Sequence, residues 1–200
     1  MRPDPATVRP REAADVPALA RLLGEQQALT GYPVRWPLPF PAEEFVVRGS
    51  EVAAWVAVDG ADVVGHVSLL DLAPGWDTDA WVAATGLPPG AMAAVGVLFV
   101  DPACTGRGVG STLLAAAVGH ARELGRTPVL DVVQETPRAV ELYRRHGWQV
   151  VGAAGLAPGR PPPPPPHGAA RLSRRRGRRR PCRRRVVAGG TGTAPGLLSA

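Results

Sequence analysis

The sequence predicts a mixed α/β domain followed by a chemically different tail, and three observations carry that prediction. Apolar runs of strand length alternate with helical periodicity over residues 7–151. A glycine-rich turn, Gly106-Arg-Gly-Val-Gly110, joins an apolar strand to an amphipathic helix. From Gly159 onward the acids are gone and Arg, Pro, Gly and Ala dominate.

Each element has a local cause. Residues 7–10, Thr-Val-Arg-Pro, form a short strand candidate. Asp15 is placed to cap the next helix, Pro17 is tolerated in its first turn, and Leu19, Leu22, Leu23 and Leu29 supply an apolar face. Residues 30–45 are irregular and aromatic, with Tyr32, Trp36, Phe40 and Phe45 among prolines and glycines; they read either as a packed loop or as a substrate-lining lid. Apolar runs at 52–58 and 63–70 flank Asp59-Gly60-Ala61-Asp62 and read as a hairpin. Residues 71–91 form a long excursion, and Trp76 and Trp81 favour an ordered one. A strand over 95–100 stops at Asp101-Pro102. The helix over 109–124 carries Leu113, Leu114, Ala117, Val118 and Ala121 on one face and stops at Gly125. A strand over 128–133 follows. Thr136 then caps a helix with Pro137 at its first position, Gly147 ends it, and 149–151 begin another strand.

Composition narrows the class. The 200 residues suffice for one domain with a sizeable core. The longest apolar run, 91–100, is well short of the roughly 18 residues of a membrane span. No apolar stretch near Met1 resembles a secretory signal. Cys104 and Cys182 cannot make a disulfide framework, so a reducing cytoplasm is the expected location. Residues 1–159 hold 12 arginines and all 17 acids, whereas residues 160–200 hold 11 arginines and no acid. An acidic domain (1–158) is thus joined to a basic tail (159–200), and the overall charge of +6 describes neither.

The chemistry centres on residues 98–148. Glycines at 106, 108 and 110 let backbone approach a ligand, and the helix behind them offers free N–H groups and a positive dipole end. That combination suits a pyrophosphate, although a plain strand-to-helix turn has the same local sequence. Neither Gly-x-Gly-x-x-Gly nor a lysine-bearing phosphate loop is present, which excludes the dinucleotide and triphosphate motifs. Ala139, Leu142 and Tyr143 share one helix face; Tyr143 is either a core residue or a proton donor with a phenol of pKa ~10. The histidines have no metal-ligand spacing, so no metal is expected.

Taken in order, Leu98-Phe-Val-Asp-Pro102, Gly106-Arg-Gly-Val-Gly110 and Ala139-Val-Glu-Leu-Tyr-Arg-Arg-His-Gly-Trp148 resemble the Gcn5-related N-acetyltransferase family, over residues 7–151. The resemblance implies an acyl-CoA N-acyltransferase-like fold, a mixed sheet with helices on both faces. It implies acetyl-CoA as co-substrate and a small-molecule or peptide amine as acceptor, attacked directly on the thioester. By the same carry-over, the backbone of Leu98, Phe99 and Val100 binds the pantetheine arm and polarises the thioester carbonyl. Arg107, Gly108, Val109, Gly110 and Ser111 hold the pyrophosphate, with Thr136 nearby, and Tyr143 protonates the leaving thiolate. Cys104 is then an incidental loop residue, and a homodimer is compatible with the family.

The chain departs from the family pattern in four places. Thr105 stands where Arg or Gln is usual, and Thr136 where Asn is common. No carboxylate lies on residues 93–100, which leaves Glu135, then Asp131 and Asp71, or an ordered water chain, to accept the amine proton. Members usually close the sheet with further strands after Trp148, and no credible candidate follows here: Val186-Val187 is too short and Leu197-Leu198 is terminal. The tail therefore reads as disordered polyproline and arginine clusters. Its composition and abrupt onset are those of a GC-rich gene read out of frame, which would leave an inactive, C-terminally altered enzyme. The alternative is a genuine nucleic-acid-binding tail acting through counterion release.

Overall fold

The computed structural model of the protein describes residues 6–72, 76–133, 137–153 and 169–173. One sheet contains β1 (Thr7–Pro10), β2 (Glu51–Asp59), β3 (Asp62–Leu70), β4 (Met92–Val100), β5 (Thr127–Val133), β6 (Gln149–Ala153) and β7 (Ala169–Ser173). Their spatial order is β1-β2-β3-β4-β5-β7-β6. Every neighbouring pair is antiparallel except β4 and β5. That parallel pair needs a crossover, and α4 (Val109–Glu123) lies on it. The remaining helices are α1 (Val16–Thr30), α2 (Ala42–Val46), α3 (Trp76–Thr85) and α5 (Pro137–Arg145).

Helices cover both faces, as the fold class requires. On one face α4 buries Val109, Leu113, Leu114, Ala117, Val118 and Ala121 against a group that includes Ala57, Val67, Leu69, Ala93, Val95 and Leu130. Each fully buried leucine here contributes about 1.5–3 kcal/mol of transfer free energy. On the other face Leu19, Leu22 and Leu23 of α1 join Phe45 and Val46 of α2 over Val56, Val97 and Phe99. The β2–β3 hairpin turns at Gly60-Ala61 with Asp59 opposite Asp62, and Gly60 takes φ 63°, which glycine adopts without strain.

The structure differs from the sequence reading at four points. Asp15 does not cap α1: its carboxylate turns back to accept two bonds from Arg9, at 2.7 and 2.8 Å, and one from the Glu12 N–H at 2.7 Å. Leu29 is 76% exposed, and the buried position of that last stretch is Gln26, whose amide donates to the Tyr32 carbonyl. The stretch read as irregular, 30–45, runs into α2; the excursion over 71–91, read as ordered, contains α3, which buries Trp81 against Met92 and Val129.

The fourth difference is β7, which comes from the stretch read as a tail without strands. It lies between β5 and β6, with Val129 opposite Ser173 and Val133 opposite Ala169. Ala169-Ala-Arg-Leu-Ser173 lacks β-branched and aromatic residues, so nothing local marks it as a strand. The open backbone of β5 selects it instead, because an unpaired sheet edge recruits any chain that can supply the ladder.

Candidate active site

The site begins with an irregularity in β4. His66 pairs with Phe99 and Ser68 with Gly96, so Val67 faces two residues, Val97 and Leu98. Val97 takes φ 51°, and among the described residues it is the non-glycine with positive φ. A β-branched residue there is strained by roughly 1–2 kcal/mol. Beyond the parallel pairs of Met92, Ala93 and Ala94 with Thr127, Pro128 and Val129, the pairing of β4 with β5 ends, and β5 continues against β7. The strands therefore separate at the level where Leu98, Phe99 and Val100 lie. The Phe99 side chain is buried towards α1 and α2, whereas Leu98 and Val100 pack on the α4 side.

The glycine-rich turn opens into the same region. Gly106 and Gly108 take φ 83° and 85°, the left-handed conformation that turns the chain into α4. The first helical bond runs from the Thr112 N–H to the Gly108 carbonyl at 3.0 Å. Val109, Gly110 and Ser111 thus occupy the first turn, whose N–H groups have no partner inside the helix. A Cβ on Gly110 would meet Val100 Cγ2 and Leu142 Cδ2 at 3.7 Å. The helix start, β4 and α5 therefore converge on Gly110. Arg107 donates to Asp59 at 2.7 Å, an ion pair between partly exposed side chains, and to Cys104 Sγ at 3.5 Å. Its guanidinium thus engages the β2–β3 turn, beside the backbone amides of the first turn of α4.

Tyr143 is buried in the α4-side cluster with Leu98, Val100, Val109 and Trp148, whose ring meets it edge-on at 5.9 Å. Burial drives its phenol above its ordinary value, and the nearby Tyr32 phenol adds to the rise. Tyr32 itself is pushed up to about 12 by burial and stacks edge-on against Phe45 at 5.9 Å.

Of the carboxylates considered as bases, Asp71 is ion-paired with Arg126. Asp131 is exposed on β5, and Glu135, like Thr136, lies outside the described residues. A cavity of about 410 Å³ flanks the glycine-rich turn, lined by Arg21, Glu25, Asp59, Asp101, Cys104 and Arg107 among others. It does not include Leu98, Val100 or Tyr143. Among the described residues no three His, Cys, Asp or Glu side chains group as metal ligands, and no helix is long and apolar enough to cross a membrane.

A buried polar chain, which no motif or spacing in the sequence marks, runs under the β4 bulge. Arg11 donates to both Glu51 oxygens, at 2.9 and 2.6 Å, and to the Val46 carbonyl at 3.2 Å. Ser68 donates to Glu51 at 3.0 Å. His66, fully buried, has Nε2 3.2 Å from Arg11 and Nδ1 3.0 Å from the Val97 carbonyl. Burial lowers the His66 pKa to about 4; the Val97 bond and Asp15 oppose that shift, and Arg11 adds to it. Unfolding therefore takes up a proton between pH 6.5 and about 4, so His66 contributes stability above pH 6.5 that falls away as pH drops through that window. The loss should reach roughly 3 kcal/mol by pH 4. Urea midpoints of the parent and His66→Phe, measured from pH 7 to 4, check it: the parent should fall more steeply.

Similarity to known proteins follows the same elements. Residues 23–148 match the model of the acetyltransferase (GNAT) family. A mycothiol acetyltransferase of Propionibacterium freudenreichii subsp. shermanii is 45% identical over 67 residues, covering 32% of this chain and 22% of that protein. The chain thus spans about a fifth of that relative. A GCN5-related N-acetyltransferase from Kribbella flavida superposes with TM-score 0.62 at 24% identity, covering 86% of this chain and 98% of that one. An acetyltransferase from Salmonella typhimurium, solved with acetyl-CoA, superposes with TM-score 0.56 at 17% identity, covering 85% and 91%. At these identities the likeness shows a shared fold.

Proposed function

The chain belongs to the GNAT acetyltransferase family, and from that premise we propose that it moves an acetyl group from acetyl-CoA to a primary amine of a small molecule or peptide. The observation that carries this reading is the convergence on Gly110: the first turn of α4, the separated end of β4 and the α5 face bearing Tyr143 meet there. A pyrophosphate suits the amides of Val109, Gly110 and Ser111, since Gly108 and Gly110 put no side chain in its way. The pantetheine arm then runs between β4 and β5 and takes the place of the missing strand partner. The Salmonella structure with acetyl-CoA supports the choice of donor.

The reaction is direct transfer. The amine nitrogen bonds to the thioester carbon, the carbonyl oxygen takes up negative charge facing the β4 amides, and the C–S bond breaks. The ammonium proton leaves to a base, and sulfur departs beside the Tyr143 hydroxyl. Each preorganised oxyanion donor is worth about 3 kcal/mol, and holding amine and thioester together about 7 kcal/mol or more. The acidic character of residues 1–159 favours a cationic acceptor.

Titration calorimetry with acetyl-CoA, followed by thiol release against a panel of primary amines, tests the reading. Micromolar binding and amine-dependent thiol release are the expected results. A folded chain that does not bind acetyl-CoA removes it.

A further inference from the structure

We propose that His66 is a positioning residue: it holds the Val97–Leu98 peptide in its bulged orientation, with Arg11 and Glu51 fixing the tautomer that lets it do so. The inference rests on the reading that β4 polarises the acetyl-CoA carbonyl. Arginine has donors and no acceptor. The contact between Arg11 and His66 Nε2, at 3.2 Å, therefore requires a lone pair on Nε2. The proton of the neutral ring then sits on Nδ1, which donates to the Val97 carbonyl at 3.0 Å. Arg11 is itself held by both oxygens of Glu51, and Glu51 by Ser68. The chain Ser68, Glu51, Arg11, His66, Val97 thus draws on β2, β3, the residue following β1, and β4, so that no single element has to hold the bulge.

The geometry links this chain to the site. In a trans peptide, the carbonyl of one residue and the N–H of the next point in opposite directions. Anchoring the Val97 carbonyl on His66 consequently aims the Leu98 N–H away from β3 and its ring. The sheet register offers Leu98 no β5 partner in that direction, since pairing with β5 covers residues 92–94 only. Strain at Val97, φ 51°, persists only where surroundings over-determine it. The buried His66 bond and the tilted contact of the His66 ring with Phe99, centroids 5.6 Å apart, supply that determination.

The test uses the full chain and acetyl-CoA labelled at the carbonyl carbon. His66→Phe keeps a ring against Phe99 and removes the donor. His66→Asn places an amide donor near the Nδ1 position, and His66→Gln places it near Nε2. Acetyl-CoA affinity is read by calorimetry, carbonyl polarisation by the infrared stretch of the bound thioester, and the tautomer by imidazole nitrogen NMR. The expected result is an Nδ1-protonated ring in the parent. In His66→Phe the carbonyl stretch should return towards its free value and thiol release should fall about tenfold or more, with affinity near the parent's. Asn should restore most of both and Gln little. Undiminished polarisation in His66→Phe, equal behaviour of Asn and Gln, or an unprotonated Nδ1 overturns the inference alone. If His66→Phe does not fold, the Asn–Gln comparison decides. A parent that fails to bind acetyl-CoA overturns the functional reading and this inference together.

Discussion

Replacing Tyr143 with phenylalanine should leave acetyl-CoA affinity near the parent value and lower turnover by about 10²-fold or more. The hydroxyl is the only atom lost, and the ring keeps its edge-on contact with Trp148 and its place beside Leu98 and Val100. Burial bears on how the hydroxyl acts. Because it opposes the phenolate, the phenol stays protonated across the neutral range and offers sulfur a hydrogen throughout. The same burial makes full transfer to a thiolate of pKa ~8.5 uphill. In the proposed reaction Tyr143 would therefore stabilise the charge growing on sulfur, and the proton released by the ammonium would complete the balance. Single-turnover rates separate this from binding: a rate unchanged in Tyr143→Phe would return Tyr143 to the role of a core tyrosine.

What the sequence shows and hides follows from the range of the forces involved. The α4 start was legible because its causes are local: glycines at left-handed positions, followed by an apolar stripe of period 3.6. The β2–β3 hairpin was legible for the same reason. Asp15 shows where local reasoning stops. Its type and position suit a cap, but Arg9, six residues earlier on β1, offers two charge-assisted bonds and wins the carboxylate. That pairing also holds the Asp15 pKa below its ordinary value. β7 was hidden because its partner strands select it, while its own residues carry no strand preference.

The buried polar chain was missed for a related reason. Gly65-His-Val-Ser-Leu69 alternates, and alternation says only that His66 and Ser68 share a face. That α1 and α2 cover the face, and that Arg11 and Glu51 arrive from elsewhere to satisfy it, depends on tertiary packing. A faint signal was present: Arg11 and Glu51 stand at the ends of apolar strand patterns, and His66 and Ser68 interrupt one. Buried polar groups that lack partners are costly, so such residues would be expected to find one another. The bulge at Val97 left no such trace, since a β-branched residue at positive φ is an outlier.

Gly110→Asp should weaken acetyl-CoA binding by about 10²-fold while leaving the fold intact, and the two halves of that expectation support each other. The space exists: a Cβ meets Val100 and Leu142 at 3.7 Å, an ordinary contact. The helix itself gains from the change, because a carboxylate in the first turn of α4 complements the positive dipole end by about 0.3–1 kcal/mol. Loss of binding therefore cannot be attributed to lost stability. A pyrophosphate at the same helix end would meet that carboxylate at roughly 5 Å, and at an effective dielectric near 20 the repulsion is about 3 kcal/mol. Gly110→Ala fills the same space without charge and should bind almost as the parent does. Gly108→Asp discriminates less well, because φ 85° at that position adds backbone strain to electrostatic repulsion. Calorimetry on Gly110→Ala and Gly110→Asp at two salt concentrations completes the argument. A difference between them that shrinks as salt rises places an anion at the α4 terminus, whereas equal affinities place the pyrophosphate elsewhere.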